Sequence, residues 1–325
     1  MELDSIISNM KWETAVLGDP LAPMRNRHSV LTEPVSYLLE TGGKKLRALL
    51  VYASAQMGSY RDNDLARAVA AVETLHLASL VHDDLLDNSH LRRGFTTVNH
   101  RWGSGTALLV GDFLYARCFA LLQPLGEQVM TVLLDTIVDM VEAELKQLTY
   151  QKNLHTEYQD YLAIIKGKTA SFISACCQIG GLIGGLPPPS ISWLNRFGYN
   201  LGLAYQIRDD TMDYALTDSS RGKPTGSDLR QGTVTLPLIL YLQKCSPDAR
   251  AEIDSLFRSN SPPPGQINQL CSRIRDSGVL TDCSQLVNDY LDQAAECLES
   301  LPIIPVLYQL VDYLRLDSSS LTPNN

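Results

Sequence analysis

Apolar residues recur at three- and four-residue steps along most of the chain. The longest such run extends from Asp64 to Asp87 and contains neither Gly nor Pro. The same spacing returns over Gly105–Leu122, Glu127–Tyr150, Glu157–Gly180, Ser192–Leu216 and Ser284–Leu298, in places with an internal Gly. That period gathers apolar side chains on one face of a 3.6-residue helix and predicts amphipathic helices around a common core. Breakers separate the runs: Gly42-Gly43, Pro124, Pro187-Pro188-Pro189, Gly222–Gly226 and Pro262-Pro263-Pro264. The two proline triplets are too short for domain linkers and read as interhelical loops. Strand-like alternation is scarce, and no fixed-period repeat occurs. The expected architecture is a single all-α domain over residues 1–325 with ten or more helices. Residues 1–30 are expected to hold an N-terminal helical segment, and residues 321–325 to fray.

Composition narrows the class. The chain of 325 residues is 45% apolar and 19% charged, which suits a large buried core and is too apolar for a disordered chain. A net charge of −9 argues against a nucleic-acid binder with a general basic surface. It leaves room for a small anion held by a local basic cluster, or by metal ions on carboxylates. The seven cysteines are odd in number and form no C-x-x-C, so free thiols in a reducing compartment are expected. The first residues carry acids where a signal peptide is basic. No uninterrupted apolar stretch reaches about 18 residues. A cytoplasmic protein without stable membrane insertion is expected.

The informative feature is a doubled D-x-x-x-D pattern with a second aspartate beside the first. Asp83-Asp84-Leu85-Leu86-Asp87 closes the long run from Asp64, and Asp209-Asp210-Thr211-Met212-Asp213 lies late in the run from Ser192. Residues i and i+4 share a helix face, so Asp83 with Asp87, and Asp209 with Asp213, each present two carboxylates together, flanked by Asp84 and Asp210. Crowded carboxylates repel, and near a helix C-terminus they also oppose the helix dipole. A divalent cation relieves both, and hard oxygen ligands suit Mg²⁺, whose shell is usually completed by water and substrate phosphates. A single such pattern reads equally well as a solvated acidic face. Two copies, both inside apolar helices, do not.

Basic residues supply the complement. Arg92-Arg93 follow Asp87, Lys44, Lys45 and Arg47 follow the Gly42-Gly43 break, Lys166 and Lys168 interrupt an apolar helix, and Lys223 follows the second aspartate set. Arginine pairs favour bidentate phosphate contacts, whereas lysine acts as a point charge. Lys45 and Lys166 read as solvated. Lys168 is flanked by Ile164, Ile165, Ala170, Phe172 and Ile173 and is harder to assign to solvent.

Six ordered segments then resemble the trans-polyprenyl diphosphate synthase family: Gly42-Gly43-Lys44-Lys45-Leu46-Arg47, His82 through Asp87, Leu91-Arg92-Arg93-Gly94, Gly167-Lys168-Thr169-Ala170, Tyr205 through Asp210, and Gly222-Lys223-Pro224. The resemblance runs from about Ser36 through the C-terminal helices, and His76 through His82 resembles the bacterial medium- and long-chain (heptaprenyl/octaprenyl-like) branch. It implies an isoprenoid-synthase-type helical bundle around a central cavity, and usually a homodimer. It implies that Asp83, Asp84, Asp87, Asp209, Asp210 and Asp213 hold three Mg²⁺ on an allylic diphosphate. Lys44, Arg47, His76 and Arg93 match the isopentenyl diphosphate site. Arg92, Lys168, Thr169, Gln206 and Lys223 match contacts to the allylic diphosphate, and Gln147 matches a cavity-lining glutamine. The sequence departs from the family where Lys45, Ala48, Ala143 and Thr233 stand in place of the common Arg, Pro, Gly and Lys.

The implied reaction is head-to-tail prenyl transfer through an allylic cation, with the departing diphosphate taking the proton. The reacting set would comprise Asp83, Asp84, Asp87, Lys168, Thr169, Gln206 and Asp209. The growing tail is expected to run from Asp83 toward the start of its helix, past Ala78 and Ser79 and on to Leu75. One turn is about 5.4 Å, close to one isoprene unit. Small residues at 78 and 79 leave no aromatic floor, so products longer than fifteen carbons are expected. A class I terpene cyclase is a weaker reading, because it has no use for an isopentenyl site and its second cluster is usually an Asn/Ser/Glu set. A catalytic subunit that needs a second chain remains open.

Overall fold

A computed structural model describes residues 30–41, 43, 45–215, 225–259 and 263–316. Lys44, Lys223 and the expected segments at 1–29 and 321–325 lie outside these residues. Among the described residues are fifteen α-helices and one two-residue-strand hairpin.

Helices α1 (Thr32–Glu40), α2 (Leu46–Ala55) and α3 (Asp62–Leu86) open the described chain. Strands β1 (Leu91–Arg92) and β2 (Phe95–Thr96) follow, then α4 (Val98–Trp102), α5 (Ser104–Leu122) and α6 (Glu127–Tyr150). Helix α7 (Tyr158–Ile165) passes through a π-turn, Lys166–Ala170, into α8 (Ser171–Ile183), and α9 (Pro188–Ala215) comes next. The remainder is α10 (Ser227–Gln231), α11 (Leu236–Lys244), α12 (Pro247–Arg258), α13 (Pro264–Asp276), α14 (Val279–Leu298) and α15 (Pro305–Leu314). The periodic runs are therefore helices. The proline triplets differ from expectation: Pro188 and Pro189 lie in the first turn of α9, and Pro264 begins α13. Proline costs nothing there, because the first N–H groups of a helix have no intrahelical acceptor.

The chain forms two compact units. The first holds the described residues up to Leu134, with Ala175–Asn195 and Leu298–Tyr313. Its centre is α3, packed by α2 and α5, with Leu65, Val69, Val72, Leu75, Leu114 and Leu122 fully buried. Helix α5 comes close to α3 at Gly111, where any side chain would collide with the His82 ring. Helix α5 with the turn after it, Ser104–Leu125, is long and apolar enough to cross a membrane by length and composition alone. It carries Asp112 and Arg117, and the packing of Val110, Leu114 and Cys118 accounts for one apolar face. The second unit holds Asp135–Ser174, Arg196–Cys297 and the described residues from Leu314. Its core includes Phe172, Ile173, Leu201, Ile207, Tyr214, Leu270, Ile274 and Val287. All seven cysteines are unpaired, as their number suggested.

Candidate functional site

The first aspartate set ends α3. Asp83 and Asp84 lie in the last turn, and Asp87 is the C-cap, its backbone N–H donating to Asp83 O. The three carboxylates have different surroundings. Asp87 is exposed, Asp83 half-buried and Asp84 buried. Asp84 Oδ1 accepts from Arg92 Nε at 2.7 Å, a charge-assisted contact of the strong kind. Asn99 Nδ2 donates to Asp84 O (3.2 Å) and to Ser89 O (3.4 Å), satisfying carbonyls at and just past the helix end. The middle aspartate thus ties the helix end to the hairpin, and the outer two lie on one face.

The hairpin positions its arginines through an unusual turn. Arg93 (φ 53°) and Gly94 (φ 83°) both have left-handed backbones, the requirement of a two-residue type I′ turn. Glycine takes that conformation freely; arginine does so under strain, a feature that concentrates at functional sites. Arg47, Arg92, Arg93 and Lys45 all lower the His76 pKa, after burial, which is the largest cause. His76 is therefore held well below the usual imidazole range, as the neutral ring, and its buried Nδ1 has no hydrogen-bond partner among the described residues. A neutral imidazole among cations can accept or donate one hydrogen bond to an anion without adding charge. The structure thus gathers Arg47, His76, Arg92 and Arg93 in the first unit.

The expected tail-lining residues divide. Leu75 and Ala78 are fully buried, Ala78 in a cluster with Val35, Val81, Val98, Ala107, Val110 and Leu114. Ser79 is half-buried, its hydroxyl donating to His76 O at 2.9 Å.

The second set lies in the other unit, near the end of α9. Asp209 is exposed, while Asp210 and Asp213 are buried. Tyr161 OH donates to Asp210 Oδ2 (2.6 Å), and Gln206 Nε2 donates to Asp210 Oδ1 (2.8 Å). Thr169 Oγ1 in turn donates to Gln206 Oε1 (2.7 Å), which fixes the orientation of that amide. Burial pushes the Asp210 carboxyl up to about 7, against the pull of the Tyr161 hydrogen bond. Asp213 Oδ2 accepts from the Asp228 backbone N–H at 3.1 Å.

Lys168 and Thr169 occupy the π-turn, where the Ser171 N–H donates to Lys166 O. This i→i+5 bond widens the helix by one residue, as such turns do at many functional sites. Lys168 Nζ lies 2.6 Å from Glu144 Oε2 and donates to Gln147 Oε1 at 3.2 Å. Tyr161 and Glu144 were not singled out from sequence. A tyrosine on an apolar helix reads as core, and one glutamate on a charged helix face reads as solvated.

Among the described residues, no three His, Cys, Asp or Glu side chains converge into a preformed metal cage. Paired carboxylates at a helix end suit Mg²⁺, which is usually bound by one or two carboxylates, with water and substrate phosphates completing the shell. Asp83 and Asp87, and exposed Asp209, are of that chemistry.

A polyprenyl synthase from Caulobacter crescentus CB15, solved with calcium and isoprenyl diphosphate, aligns with a TM-score of 0.90 and 29% identity over 96% of this chain and 97% of that one. A decaprenyl diphosphate synthase from Rhodobacter capsulatus aligns with a TM-score of 0.88 and 32% identity over 96% and 98%. The architecture is the all-α isoprenoid-synthase fold. Heptaprenyl diphosphate synthase component 2 of Geobacillus stearothermophilus is 33% identical over 305 residues, 93% of this chain and 94% of the relative. The polyprenyl synthetase model matches residues 28–274, and the chain belongs to that family of prenyltransferases. The family is Mg²⁺-dependent.

Proposed function

We propose that the protein condenses isopentenyl diphosphate head-to-tail with an allylic diphosphate, giving a trans-polyprenyl diphosphate longer than fifteen carbons. The observation that carries this reading is the doubled aspartate set. In each copy the second carboxylate is buried and hydrogen-bonded within its own unit, while an outer carboxylate is exposed. Asp83, Asp87 and Asp209 are the direct Mg²⁺ ligands in this reading, and Asp84, Asp210 and Asp213 complete the two sets by holding them in place. Three Mg²⁺ held there would neutralise the allylic diphosphate and let it leave. Arg92, Lys168 and Lys223 grip that diphosphate, and Lys44, Arg47, His76 and Arg93 bind isopentenyl diphosphate. Thr169 and Gln206 present a fixed polar lining to the developing cation, an arrangement that needs no reorganisation during the reaction. No motif residue is a strong base, so the departing diphosphate takes the proton. The test is incubation of the purified chain with Mg²⁺, isopentenyl diphosphate and farnesyl diphosphate. A product ladder ending at one main length is expected. Farnesyl diphosphate consumed to hydrocarbon without isopentenyl incorporation would replace this reading with a terpene cyclase.

Ser79 lines the tail path in this proposal, whereas Ala78 serves the packing of α3. Ser79→Phe should shorten the main product by one or more isoprene units, each spanning about one helical turn. An unchanged length by chromatography would remove Ser79 from the path.

The partner is a second copy. Leu134, Val138, Val141, Leu145 and Leu148 on α6 are all exposed, and their four- and three-residue steps form a seam of the kind that pairs helices. Leu145→Glu should yield a monomer by light scattering where the parent is dimeric. A parent that is monomeric and inactive alone would favour a second, different chain, the arrangement that the name "component 2" records for the Geobacillus stearothermophilus relative.

A further inference from the structure

One carboxylate of the first unit pairs with a lysine and has no part in the chemistry above. Glu73 lies on α3 three residues before His76, with 13% of its side chain exposed. Its Oε1 accepts a hydrogen bond from the Ala48 backbone N–H at 3.1 Å, and its Oε2 lies 3.7 Å from Lys45 Nζ. A negative charge beside Lys45, in the same unit as Arg47, Arg92 and Arg93, weakens the local field that would hold an anion.

The carboxylate has a geometric use that offsets this. The first N–H groups of a helix lack intrahelical acceptors, and an N-cap side chain normally supplies one to the second or third of them. The N-cap of α2 is Lys45, in a left-handed conformation (φ 49°) and making no side-chain cap. Lysine has no acceptor to offer. The third N–H of α2, that of Ala48, is instead satisfied from α3 by Glu73. The two points that Glu73 holds, Lys45 and Ala48, bracket Arg47.

We propose that Glu73 is a positioning residue for isopentenyl diphosphate: a cap supplied by α3 that fixes the first turn of α2, and with it Arg47, near His76. This rests on the assignment of Arg47, His76 and Arg93 to the isopentenyl site. Glu73→Ala removes the acceptor and should raise the KM for isopentenyl diphosphate about tenfold, the factor expected for one lost hydrogen bond. The KM for the allylic diphosphate should stay within about twofold. Glu73→Gln keeps an acceptor for the Ala48 N–H and should restore the isopentenyl KM to within about threefold of the parent. A merely structural role predicts no such selectivity, and thermal melts establish that each variant is folded. Should the alanine variant not fold, Glu73→Asp, shorter by one methylene, should give the same selective rise in smaller measure. Equal changes in both KM values, an unchanged isopentenyl KM, or a glutamine variant as impaired as the alanine one would overturn the proposal. Arg47→Ala separates this from failure of the site itself. If Arg47→Ala leaves the isopentenyl KM unchanged, the site assignment is wrong; if it raises it, Glu73→Ala on that background should add little further.

Discussion

Asp83→Ala and Asp209→Ala should each lower kcat by about 10³-fold, the scale at which lost electrostatic stabilisation of a leaving group is felt. The reason lies in what each carboxylate has to do besides bind metal. Asp209 is exposed at its end of α9, and Asp83 shares a face with exposed Asp87. Asp209 is exposed and Asp83 only half-buried, so truncation should cost turnover more than stability. Asp84 differs. Its carboxylate is buried against half-buried Arg92, and removing it strips that guanidinium of its charge partner. Steady-state turnover and thermal melts together separate the cases: activity lost with the fold intact for Asp83 and Asp209, both affected for Asp84→Ala. Near-normal turnover in both Asp83→Ala and Asp209→Ala would remove the metal assignment.

The parts of this site that were legible in sequence are those set by spacing along one helix. Asp83 with Asp87, and Asp209 with Asp213, share faces because helical geometry makes them do so, and the helices were visible as apolar periodicity. What was not legible depends on contacts between distant segments. Asp210 is held by Tyr161, 49 residues away in sequence, and nothing about a tyrosine in an apolar run announces a carboxylate partner. Glu73 reaches Ala48 across 25 residues to supply a cap that the local sequence, with lysine at the N-cap, gives no reason to expect. The prolines show the opposite limit. Pro187-Pro188-Pro189 is a sound breaker signal, yet only Pro187 lies in the connection and the next two open α9, since proline fits the first turn.

The π-turn is the least legible feature and carries the other large expected effect. Gly167 faces α6 so closely that an added Cβ would lie 2.7 Å from Ala143 Cβ and 2.7 Å from Asp139 O. The second of these is backbone and cannot swing aside, so Gly167→Ala must move α6 or rewind the turn. Lys168 and Thr169, the next two residues, hold opposite ends of the site's wiring in this unit: Lys168 to Glu144 and Gln147 on α6, Thr169 to Gln206 and so to Asp210 on α9. A displacement of about 1 Å in such positioning groups can cost about 10²-fold. Gly167→Ala should therefore lower kcat/KM for the allylic diphosphate about 10²-fold and leave the KM for isopentenyl diphosphate unchanged, because Arg47, His76 and Arg93 belong to the other unit. Overpacking should also lower Tm by a few degrees. Ala143→Gly on the same background removes the side-chain clash but not the one with Asp139 O, so it should recover part of the rate and not all of it. Full activity in Gly167→Ala would show that the turn can widen or shift without disturbing Lys168 and Thr169, and that these two residues do not need the geometry seen here.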